Sequence, residues 1–119
     1  MPDAGTSLVV EPGMTVGGAV AAFAATWPGL RLELNHGSGE FYKGSGHDPV
    51  PDDVPVTASA SAAVPVVLNG AMDQHALQRA LYGTLRLEPV VWLVRGIEIT
   101  GLRYETLDEA VATLAAERG

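Results

Sequence analysis

Between Glu11 and Arg31 the chain carries no charged side chain, and within that stretch Val16, Val20, Phe23 and Trp27 recur at i, i+4, i+7 and i+11. This is the spacing of one helical face. Thr15 is placed to open the helix as N-cap and Pro28-Gly29 to close it. The other side consists of Gly17, Gly18, Ala21, Ala22 and Ala25, small residues that let another backbone come close. Each glycine weakens a helix by about 1 kcal/mol relative to alanine, so the adjacent pair asks for a compensating contact. A helix apolar on all sides is normally covered on more than one of them, which makes these five residues the first candidate interface.

Around this helix the alternation of side chains predicts strands. Leu8 to Val10 is a short one, ended by Glu11-Pro12-Gly13, and Leu30 to Leu34 alternates Leu, Arg, Leu, Glu, Leu with one buried face. Pro65 to Leu68 reads as the next strand. Asp73 then caps a second helix, with Met72 and Leu77 placed as a hydrophobic staple and an end expected at Gly83. Leu85 to Val94 contains another strand, apolar on both faces from Val90 to Val94 and hence central or doubly covered, with Pro89 marking a break or an edge position. Ile97 to Thr100 alternates as a strand. Thr106 and Glu109 form a capping box that opens a last helix, with Leu107, Ala110, Val111 and Leu114 facing the core.

The order β-α-β-β-α-β followed by β-α leads to an α+β fold, a ferredoxin-like split β-α-β sandwich with helices mainly on one face of an antiparallel sheet. On that reading Val9, Val91 and Leu93 leave the bare sheet face too apolar to stand in water. A shift of 58 lays SLVVEPGMT, residues 7 to 15, on PVVLNGAMD, residues 65 to 73, so that strand, turn, Met and cap coincide. The tetrapeptide LRLE, at 30 to 33 and 85 to 88, repeats instead at a shift of 55, and the two shifts conflict.

Residues 1–119 fit a single domain with a long Gly/Pro/Ser-rich loop at about 35–64. Such a loop is uncommon in a compact domain and usually functional or disordered. Glu40-Phe41-Tyr42-Lys43 returns from a Gly-Ser-Gly turn as a possible hairpin arm, and Val54 to Ala60 is a second extended piece. Phe41, Tyr42 and Lys43 join the candidate interface as a tip whose aromatic side chains either fold back onto the domain or insert into a partner.

Composition narrows the chemistry. No cysteine occurs, which removes disulfides, thiolate metal sites and a cysteine nucleophile. The seven Lys and Arg residues are scattered against fourteen Asp and Glu, giving a net charge of −7, so nucleic acid and anionic membranes are poor partners. The N-terminus lacks a positive n-region and the apolar run is too short to span a bilayer, from which a cytoplasmic location is expected. His36 and His47 lie among Glu40, Asp48, Asp52 and Asp53 without metal-ligand spacing, so no metal or cofactor is expected. Lys43 among glycines evokes a phosphate loop, but Pro49 and Pro51 oppose the helix start that such a loop needs. Ser45, His47 and Asp48 have the residue types of a hydrolytic triad but are sequence neighbours, with no nucleophile elbow. The reading that follows is a non-enzymatic module that binds a protein partner or self-associates. The alternatives are a regulatory small-molecule site or a cofactor-free enzyme at a dimer interface, using His36, Tyr42 or His47, and a capsid or scaffold subunit.

Overall fold

The computed structural model describes residues 6–36, 49–60 and 62–118. Five strands and three helices follow one another as β1 (Ser7–Val10), α1 (Val16–Thr26), β2 (Leu30–His36), β3 (Val66–Asn69), α2 (Gln74–Leu85), β4 (Leu87–Arg95), β5 (Glu98–Gly101) and α3 (Leu107–Arg118). All strand pairing is antiparallel, in two sheets: a ribbon of β1 and β3, and a three-stranded sheet in the order β2-β4-β5.

This pairing corrects the ferredoxin-like expectation, in which the strands would share one sheet. Element order does not encode which strands meet. β1 and β3 have only two inward side chains each, Leu8 and Val10 against Val66 and Leu68, and they close on one another. β4 is apolar on both faces and takes the centre of the other sheet, between β2 and β5.

The helix starts are fixed by the residues that the sequence marked. Thr15 Oγ1 accepts the Gly18 N–H at 3.1 Å, and Asp73 Oδ1 accepts the Ala76 N–H at 2.9 Å. Thr106 and Glu109 exchange both bonds of a capping box. α2 runs past Gly83 to Leu85, because Leu85 is buried in the core and Arg86 adopts the left-handed conformation (φ 61°) that ends the helix. Gly29, with φ 91°, makes the turn after α1.

α1 lies over β2 and α2 over β4, on the same face of the sheet. Leu30, Leu32 and Leu34 of β2 and Leu87, Val91 and Leu93 of β4 point toward them and are buried. Val91 and Leu93 are thus helix-facing core, and of the three residues expected on a bare face only Val9 is exposed, beside its cross-strand neighbour Val67. From α1 the core takes Val16, Ala19, Phe23 and Trp27. The Phe23 and Trp27 rings sit 4.9 Å apart at 50°, and the Trp27 indole donates to Asp108 Oδ1 at the start of α3, 3.0 Å away.

Hydrogen-bond alternation explains Pro89. The Val94 N–H donates to Gly29 O and the Leu102 N–H to Val91 O, so even-numbered residues of β4 bond toward β2 and odd-numbered ones toward β5. Pro89 therefore lacks its N–H on the β5 side, at a point β5 does not reach, and its carbonyl accepts from Gln74 Nε2 at 2.7 Å.

The two strand-helix-strand units meet symmetrically. Each strand of the first pairs with its counterpart in the second: Val9 faces Val67, 58 positions on, and Leu34 faces Pro89, 55 positions on. The helix-to-strand links differ by two residues, Trp27-Pro28-Gly29 against Arg86 alone, and each spacing occurs at a single pair of its antiparallel ladder.

Residues 49–60 form turns and isolated bridges, Thr15 to Pro55 and Asn35 to Pro49, with no strand over Val54 to Ala60. Yet Val50 and Val56 are core residues, so this part of the segment read as loop is structural. The Val16 N–H donates to Val54 O and the Gly17 N–H to Asp52 O, at 2.8 and 2.9 Å. These carbonyls satisfy amides that a helix start leaves without intrahelical partners. At the start of α3, Leu107 and Asp108 donate in the same way to Met72 O and Gly70 O.

Candidate functional site

Of the five small residues of α1, Gly17 is set apart from Gly18, Ala21, Ala22 and Ala25. Gly17 is packed by the chain itself: a Cβ there would lie 2.9 Å from Asp52 Cβ and 3.2 Å from Asp52 O, so close approach of residue 52 accounts for this glycine. Gly18, Ala21 and Ala25 are exposed and Ala22 is half-buried. Phe41, Tyr42 and Lys43 lie outside the described residues, as do Ser45, His47 and Asp48. His36 ends β2 at the surface, and His75 is exposed on α2.

The described residues line a different site, a cavity of about 610 Å³ at the edge of β2. It begins against Val16 and Val20 of α1 and passes Leu32. On the opposite face of the sheet it reaches Arg31, Glu33, Trp92 and Ile99. Pro49, Val50 and Asp52 close one end. This placement follows from local structure. Arg31, Glu33 and Asn35 bond toward β4, so the backbone N–H and C=O of Leu32 point away from it. Val50 takes the neighbouring position by donating to Leu34 O at 2.9 Å, then the chain leaves β2 for the start of α1. Among the described residues no strand lies against Leu32 on that side.

The floor is apolar and the rim is mixed in charge. Arg31 and Asp52 are exposed, and Glu33 is oriented by the Trp92 indole, which donates to its Oε1 at 3.0 Å. The carboxylates with lowered pKa values, Glu105 and Glu117, are elsewhere: backbone N–H groups of Glu105 itself and Arg103 hold the first down, and the Arg95 guanidinium the second.

No protein family, curated protein or solved structure matches this chain. The site is therefore read from its own chemistry. Among the described residues no three His, Cys, Asp or Glu side chains are grouped to hold a metal, and no helix is long and apolar enough to cross a membrane. The lining offers apolar contact, the outward backbone groups of Leu32 with no strand against them among the described residues, and three charged side chains.

Sequence reasoning found the strand Leu30–Leu34 and the apolar stripe of α1 but not the opening between them. Its signal lay in Val50-Pro-Asp-Asp-Val-Pro-Val56, where three valines recur within seven residues of the presumed loop.

Proposed function

We propose that the chain is a protein-interaction module that takes an extended segment of a partner along the edge of β2 that faces away from β4. The observation that carries this reading is the outward N–H and C=O of Leu32, set in a cavity lined from both sides of the sheet. An added strand would hydrogen-bond to that edge and send alternate side chains to either side, one set onto Val16 and Val20, the other toward Arg31 and Glu33. The groove gives such a segment an apolar seat and a charged rim, the usual division between affinity and specificity. A volume of this size would also admit a small molecule, but the breadth of the opening favours a chain.

Peptides selected from a displayed random library against the purified protein test this. Winners with alternating apolar positions should shift the Leu32 and Val20 resonances, and Val20→Glu should weaken them at least about tenfold, since it places a charge on the apolar floor. Binders indifferent to Val20→Glu, or mapping to the α2 surface, would refute it.

A further inference from the structure

We propose that two copies of this chain pair through β5, antiparallel about Ile99, joining their three-stranded sheets into one sheet of six strands. This concerns the β5 edge and does not rest on the groove, although the Ile99 side chain also lines the far end of the groove.

The hydrogen-bond alternation decides which groups are open. Leu102 bonds to Val91 directly across the ladder, so Leu93 with Thr100 and Arg95 with Glu98 are the bonded pairs of β4 and β5. Ile99 and Gly101 therefore turn their N–H and C=O outward, where no strand lies among the described residues. Exposed edges are commonly blunted by shortness, charged side chains, proline or a bulge. β5 reads Glu-Ile-Thr-Gly: it is short and carries one charge, Glu98, but has neither lysine nor proline. Ile99 is 43% exposed and Ile97, at the adjoining hairpin tip, is fully exposed.

The edge fits itself. With Ile99 opposite Ile99 of the second copy, the two residues exchange both N–H to O=C bonds. Glu98 then falls opposite Thr100 of the second copy, so like charges do not face each other. Ile97 falls beside Gly101 of the second copy, and the space where a side chain would stand on Gly101 is empty to 4 Å. The isoleucines of both copies thereby form one apolar row next to Val94, the cross-strand neighbour of Ile99.

A four-residue strand gives an interface at the small end of the specific range, so the dimer is weak and depends on concentration. Each copy carries a net charge of −7, so added salt tightens association by screening repulsion.

Sedimentation of the full chain from about 10 µM to 1 mM, with amide exchange at both ends of that range, tests the proposal. The expected result is a mass rising from one chain toward two, with Ile99 and Gly101 amides exchanging at least about fivefold more slowly at high concentration. Ile99→Pro removes an N–H that meets no strand among the described residues, and Ile99→Lys adds charge to the edge. Both variants should stay monomeric with the thermal midpoint of the dilute parent. A monomer throughout, a dimer that survives both substitutions, or one that leaves Ile99 unprotected overturns it. Val20→Glu should leave this dimer unchanged, which separates its failure from that of the groove.

Discussion

Replacing Gly17 by alanine tests whether the start of α1 is held by the chain itself or left free for a partner. In a helix the exchange alone stabilises by up to about 1 kcal/mol. At Gly83, on the exposed side of α2, nothing lies within 4 Å of the added methyl, so Gly83→Ala should realise about 0.5–1 kcal/mol of that gain. At Gly17 the methyl would stand 2.9 Å from Asp52 Cβ, beside the bond from the Gly17 N–H to Asp52 O. Overpacking of this kind costs about 1–3 kcal/mol, and moving residue 52 away strains two backbone bonds worth about 1 kcal/mol each. The balance predicts Gly17→Ala to be destabilising by about 1–2 kcal/mol, opposite in sign to Gly83→Ala. Paired urea titrations of both variants and the parent, with unchanged slopes, read this directly. If Gly17→Ala stabilises as much as Gly83→Ala, residue 52 does not constrain the helix, and the account of the segment after β2 is wrong.

Two further outcomes follow from the packing and the charges. Val56→Ala removes two methylene-sized groups from a site that is 1% exposed and should cost about 2–3 kcal/mol, whereas Val64→Ala, at 46% exposure, should cost less than about 0.5 kcal/mol; equal midpoints in thermal melts would mean that residues 49–60 lie outside the cooperative unit. Glu105 and Glu117 both titrate lower in the folded chain than in the unfolded one, so their stabilisation is complete above the unfolded carboxylate value near about 4.3 and is lost as pH falls through the folded values; melts between about pH 6 and 3 should fall more gently in Glu105→Gln than in the parent, and an identical fall would remove this term.

Much of the local structure was legible because it depends on neighbours in sequence. Thr15, Asp73 and Thr106 with Glu109 cap three helices, and the stripe through Phe23 and Trp27 faces the core, since caps and periodicity are set within a few residues. Val20 of that stripe is half-buried against the core and also lines the cavity, while Ala19 beside it is fully buried. Pairing was not legible. The partner of each strand is fixed by which edges remain after Val50 and Val56 have been buried, and a stretch with three prolines among its valines gives no periodic sign of burial. The groove was invisible for a related reason: Leu32 is an ordinary inward residue of an alternating strand, and nothing near it in sequence marks that no strand among the described residues lies against its outer edge.

The reciprocal pairing of the two halves has a consequence for biosynthesis. β1 has its only strand partner among the described residues in β3, and β2 has its neighbour in β4, both from the later half of the chain. On the ribosome the first half can make, among its described residues, only the isolated bridges of Thr15 to Pro55 and Asn35 to Pro49. It must wait, its leucines and valines unsheltered, until residue 95 has emerged and both ladders can form.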